Sequence, residues 1–139
     1  MIQKNTETLK QMRERKQKEI DAVLRSKCEE YAISKVGSAE ELVKLSNQVG
    51  GLWYLPTLDE QNNIEKMLIL KPITRTTLSY ASTKIEDEGL YTFIEVAMME
   101  CIIKEYSDMD IMEDEEAFIS AANKFQKTME GKKTALLKR

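Results

Sequence analysis

The chain has 139 residues, of which 21 are Lys or Arg, 24 are Asp or Glu and none is His, giving a formal net charge of −3; apolar residues make up 42%. That length suits one domain, the composition is too apolar for a disordered chain, and no apolar run approaches the roughly 18 residues needed to span a bilayer. Without histidine, a Gly-rich phosphate loop or a nucleophile motif, no enzymatic activity, cofactor or metal is expected.

Thr6 can cap a first helix whose apolar positions recur at Leu9, Met12, Ile20, Val23, Leu24, Cys28 and Tyr31, with one gap around Lys16. Acid-before-base pairs four apart, Glu14 with Lys18 and Asp21 with Arg25, support it. A helix from Thr6 to Val36 would be roughly 45 Å long, more than the diameter of a small domain, so part of it should project or pack on another chain. Gly37 ends it, and Ser38 with Glu41 forms a capping box that opens a short helix running to Gly50-Gly51. Leu52–Leu58 and Ile64–Lys71 read as two strands joined by the polar turn Asp59–Asn63, with Pro56 confining the first strand to an edge.

After Pro72 a helix starts at Thr74 or Thr76 with a stripe at Leu78, Ala81 and Ile85, and Gly89 breaks it. Leu90 to Lys104 is apolar nearly all round and should be the central, most buried helix. An acidic, solvated loop from Ser107 to Glu113 leads to Asp114, the N-cap of a last helix that buries Phe118, Ala122, Phe125 and Met129; Gly131 ends its firm part. The predicted fold is mainly α with one small β-hairpin (α+β). A long N-terminal amphipathic helix (1–36) packs on or projects from a compact helical domain (37–131, hairpin at about 52–71), followed by a basic tail (132–139).

Charge is laid out in blocks. Met1 to Lys27 carries eight bases against four acids, Glu86 to Glu116 twelve acids against Lys104, and Lys127 to Arg139 five bases against Glu130. The N-terminal bases alternate with acids as on a solvated helix face, so no nucleic-acid site is predicted. Ile2 to Lys18 is polar throughout and does not resemble a signal peptide, so neither a membrane partner nor export is expected. Cys28 and Cys101 lie far apart within helical patterns and read as buried free thiols. The segment Asp108–Glu116 opens Asp-x-Asp but offers Met112 and Glu113 where a calcium loop needs an oxygen ligand and a glycine.

Six residues stand out as candidate partner contacts: Lys71, Arg75, Met109, Met112, Trp53 and Tyr54. Met67, Met98 and Met99 sit in apolar segments and read as core, whereas Met109 and Met112 lie in the acidic loop, where burial is not forced. Trp53 and Tyr54 lie on the edge strand, where they serve either partner contact or packing within the hairpin. Lys71-Pro72 ends the second strand, and Arg75 falls in the first turn of the following helix, where a cation opposes the macrodipole and so does not serve helix stability. Pairing with Glu65 or with the acidic block is the competing structural role for Arg75.

The segment "LKPITRTTLSYAS" (Leu70 to Ser82), the apolar helix and acidic loop after it, "DEEAFISAANKF" (Asp114 to Phe125) and "KKTALLK" near the end resemble small phage tail assembly chaperones. The matching positions are Lys71, Pro72, Arg75, Ala81, Asp114, Phe118 and Ala121, within a likeness covering about Trp53 to Lys138. The long first helix and the lack of Trp-Gly-Gly after Cys101 depart from that family. The resemblance implies a non-enzymatic protein of the infected bacterium's cytoplasm that binds a tape-measure or tail-tube subunit during virion assembly. Two alternatives stand beside it: a structural or packaged virion protein with virion neighbours as partners, and a host regulatory or antitoxin-like protein-binding module. Self-association through the N-terminal helix is compatible with each.

Overall fold

The computed structural model describes residues 8–82, 89–130 and 138. Among them are five α-helices and one two-stranded antiparallel hairpin, in the order α1 (Leu9–Val36), α2 (Ala39–Val49), β1 (Trp53–Leu58), β2 (Ile64–Leu70), α3 (Arg75–Ser82), α4 (Leu90–Cys101) and α5 (Glu115–Glu130). Short 3-10 turns at Lys104–Tyr106 and Met109–Met112 connect α4 to α5. The fold is thus mainly α with one small hairpin, as the periodicities predict.

The helix ends follow local chemistry. The Gln11 amide donates to the Thr8 hydroxyl at 3.1 Å while the Thr8 amide donates to the Gln11 side chain at 2.9 Å, a complete capping box that starts α1 at Leu9. Thr6, the expected cap, lies outside the described residues; Thr8 takes the role because glutamine stands three places after it and leucine three places after Thr6. Gly37 closes α1 with φ +121° and its amide donating to the Ile33 carbonyl at 2.8 Å. Ser38 caps α2, Thr74 accepts from the Thr77 amide at the start of α3, and Asp114 accepts from the Ala117 amide at the start of α5.

The hairpin pairs Trp53 with Leu70, Leu55 with Leu68 and Pro56 with Met67. Successive β2 side chains point to opposite faces, and both faces are covered. Leu68 and Leu70 join Ile94, Ala97, Met98, Cys101, Ala122 and Phe125 in one core against α3, α4 and α5. Met67 and Ile69 join Cys28, Ala32 and Leu42 in a second core against α1 and α2. Two-sided burial explains why "MLIL" is a continuous apolar run rather than an alternating one.

A strand buried on both faces cannot leave its edge backbone unpaired. β1 covers one edge of β2, and the chain from Cys101 to Asp108 covers the other. The Lys71 amide donates to the Cys101 carbonyl at 2.9 Å and the Ile103 amide to the Ile69 carbonyl at 2.8 Å. The Ile69 amide donates to the Ser107 hydroxyl at 2.9 Å, and that hydroxyl donates back to the Ile69 carbonyl at 3.2 Å. The Met67 amide donates to Asp108 Oδ2 at 2.9 Å, and the Asp108 amide returns a bond to the Met67 carbonyl at 3.0 Å.

This closure corrects two expectations. The helix expected to reach Lys104 stops at Cys101, because β-branched Ile102 turns extended (φ −66°, ψ 129°) and bridges Leu70. The segment from Ser107 to Glu113 is not a solvated loop throughout, because Ser107 and Asp108 serve the β2 edge and Ile111 is buried. Since Met67, Ile69 and Lys71 turn their backbone groups toward this segment, the register neighbours of Met67 and Ile69 on β1, Pro56 and Tyr54, turn theirs away from β2.

Met98→Ala, which empties a fully buried site on α4, is expected to lower the unfolding free energy by about 2–5 kcal/mol in a denaturant titration. Ile119→Ala on the exposed face of α5 should stay within about 0.5 kcal/mol. Equal effects of the two would contradict this assignment of the core.

Candidate functional site

Three of the six singled-out residues meet in one place. Trp53, Tyr54 and Lys71 line an apolar pocket of about 180 Å³ together with Leu55, Leu70, Pro72, Ile73 and Phe125. β1 forms one wall, the turn out of β2 another, and α5 closes the base through Phe125. Lys71 is exposed, and Pro72 ends the strand so that Ile73 can turn back over the pocket. Trp53 stands at the rim with 55% of its surface exposed.

On its other side β1 forms a second, open groove with α1, lined by Leu24, Arg25, Cys28, Leu52, Trp53 and Pro56 among others. Trp53 and Tyr54 belong to both depressions. Tyr54 is anchored: its hydroxyl donates to Glu29 Oε1 on α1 at 2.8 Å, and burial followed by that bond pushes its pKa well above the ordinary tyrosine value. Trp53 therefore projects from a backbone fixed at the next residue.

Arg75 opens α3 at an exposed position outside the pocket lining, and no described residue forms an ion pair with it, Glu65 included. Met109 and Met112 are separate from this group. Both are half-buried and pack against the larger core from the 3-10 turn.

The Met109–Met112 turn is instead the neighbour of a polar cluster that no sequence pattern marked. Lys35 Nζ lies 2.7 Å from Asp108 Oδ1, the Tyr31 hydroxyl donates to Asp108 Oδ2, and Lys66 pairs with Asp110. The Asp108 side chain is only 16% exposed. Burial alone would raise its pKa, but the Lys35 ammonium, the Tyr31 hydroxyl and the Met67 amide outweigh it and hold the carboxyl below its ordinary value. Burial first, then the bond to Asp108, pushes the Tyr31 hydroxyl up to about 12. With both carboxylate oxygens engaged, Asp108 is an anchor between α1 and β2 and not a free base.

Cys28 and Cys101 are free, buried thiols whose pKa values burial raises, the opposite of what an attacking thiolate needs. Among the described residues no group of three or more acidic, Cys or His side chains gathers as metal ligands, and no helix is long and apolar enough to cross a membrane. No protein-family model, curated protein or solved structure matches the chain.

The cluster contributes to the pH response at both ends of the range. The lowered Asp108 pKa contributes stability that is present above the ordinary aspartate value near 3.9 and is lost as pH falls through the folded value. The raised Tyr31 pKa contributes stability that is present below the ordinary value near 10 and is lost as pH rises toward about 12. Stability measured against pH should therefore fall at both ends, and Asp108→Ala should flatten the acid fall and lessen the alkaline one, which burial of Tyr31 also drives, while costing about 3 kcal/mol at neutral pH. Lys66→Met, at an exposed pair, should leave the midpoint nearly unchanged. An unaltered pH profile in Asp108→Ala would show that the cluster carries no such linkage.

Proposed function

We propose that this chain is a non-enzymatic assembly protein of a tailed phage, a tail assembly chaperone that binds the tape-measure or tail-tube protein through the Trp53 pocket. The observation that carries this is an apolar pocket walled by fixed backbone, with an exposed tryptophan at its mouth and the Lys71 cation on its rim. Exposed aromatic anchors beside a desolvated pocket are where binding energy concentrates at protein interfaces. The residues that form the pocket floor and far wall, Leu70 to Ile73 and Phe125, fall within the segments that resemble phage tail assembly chaperones.

The partner that fits is a helix with an apolar stripe and an acidic flank. Its aliphatic side chains enter beside Trp53, and its carboxylates meet Lys71 and the exposed Arg75. A tape-measure helix presents such stripes until a tube closes around it, and shielding them in the interval needs binding without chemistry.

Co-expression with the adjacent tape-measure or tube gene tests this: the partner should become soluble and co-purify. Trp53→Ala should weaken that complex by at least about tenfold, and Arg75→Glu should weaken it more at low salt than at high salt. Both variants should keep the unfolding free energy within about 1 kcal/mol, as surface changes do. Absence of any complex would end the chaperone assignment, and fixed-copy presence in purified particles by mass spectrometry would replace it with a structural virion role.

A further inference from the structure

The N-terminal half of α1 leaves the body of the protein with an apolar stripe uncovered. Leu9, Ile20 and Val23 are 71%, 56% and 57% exposed. On a helix, Leu9, Met12, Lys16, Ile20 and Val23 fall within one narrow stripe. Their spacings run three, four, four, three, so the stripe reads the same from either end, with Lys16 at its centre. We propose that it is the seam of an antiparallel two-fold pairing between two copies of this chain.

Antiparallel pairing centred on Lys16 sets Leu9 of one copy beside Val23 of the other and Met12 beside Ile20, twice each. All four kinds of apolar side chain are then covered by apolar side chains. A two-fold contact of this sort uses one surface against itself, which a self-matching stripe supplies and an irregular one does not.

Charge supports the same register. Arg15 and Glu19 lie on one flank of the stripe and pair within their own helix at 3.4 Å, both more than half exposed. In the antiparallel arrangement Arg15 of each copy lies within side-chain reach of Glu19 of the other, so the four groups alternate in sign around a closed ring. The two Lys16 side chains meet at the axis and turn their ammonium groups outward along their aliphatic stems. A polar residue at the centre of a seam lowers affinity and fixes register.

The lengths agree as well. Helix α1 begins at Leu9 under its Thr8 cap, level with Val23 of the other copy. One turn beyond, Lys27 is held by the hairpin turn through the Asn62 carbonyl at 3.3 Å and Asn63 Oδ1 at 3.4 Å. The exposed stripe thus ends where the partner helix ends. A groove formed by Ile20, Val23, Leu24 and Leu58 lies there to receive the Leu9 side chain of the second copy.

This pairing is independent of the tail-assembly proposal, and its test needs no partner protein. Sedimentation of the full chain over a concentration series should show a monomer–dimer equilibrium. Ile20→Glu should weaken it by at least about a hundredfold, since the change falls on the seam twice per dimer. Lys16→Leu should tighten it by about tenfold or more, an effect that misfolding cannot imitate. Orientation is read by mixing Met12→Cys with Ile20→Cys in the presence of a short thiol crosslinker, which should join the two variants to each other and neither to itself. A monomer at every concentration, a dimer indifferent to Ile20→Glu and Lys16→Leu, or crosslinking of Met12→Cys to itself would each overturn the proposal.

Discussion

The far edge of β2 is the constraint on which the rest of this structure depends. Four consecutive β2 residues, Met67 to Leu70, are buried because helices cover both faces of the hairpin. Amides and carbonyls along that edge have no route to water, and leaving them unpaired would cost more than the surrounding apolar contacts could easily offset. The stretch from Cys101 to Asp108 supplies the missing partners, using backbone groups at Cys101, Ile103 and Asp108 and side chains at Ser107 and Asp108. The early stop of α4 and the placement of the 3-10 turns follow from that need.

Asp108 extends the same device across the molecule. One carboxylate satisfies an edge amide of β2 while binding Lys35 and Tyr31 on α1, so the helix layer and the sheet are fixed to one another by a single charged group. Tyr54 repeats the linkage near the other end of the hairpin through Glu29. With α1 tied on both sides of the hairpin, the Trp53 pocket is carried by backbone that has little freedom to shift. Binding there loses less conformational entropy than binding to a mobile loop would.

What could be read from the sequence was what is decided within a few residues. Gly37, Ser38, Gly50 and Asp114 act on their own neighbours, and the hairpin between "LWYLPTL" and "IEKMLILK" is announced by a five-residue polar turn; all these lie where expected. The cap at Thr8 is equally local, but Thr6 offers the same side chain two places earlier. Asp108 was not legible, because its partners are 41, 73 and 77 residues away and it is one of twelve acids in a block that reads uniformly as solvated. For the same reason the stop at Cys101 was hidden: Ile102 and Ile103 continue a helical stripe as well as they form an edge, and only β2 decides between the two. Trp53, Tyr54 and Lys71 stand out singly in the sequence, whereas the pocket that joins them needs the register of Trp53 on Leu70 and the approach of Phe125 from α5.

Pro56 has a consequence for behaviour at high concentration. It sits on β1 where backbone groups turn away from β2, between Tyr54 and the irregularity at Thr57/Leu58. A strand from another molecule laid along that border would find a pyrrolidine ring where it requires an N–H, and the shifted register just beyond would bend the template out of line. Extension of the hairpin by a strand laid along that border is thereby disfavoured at its first step.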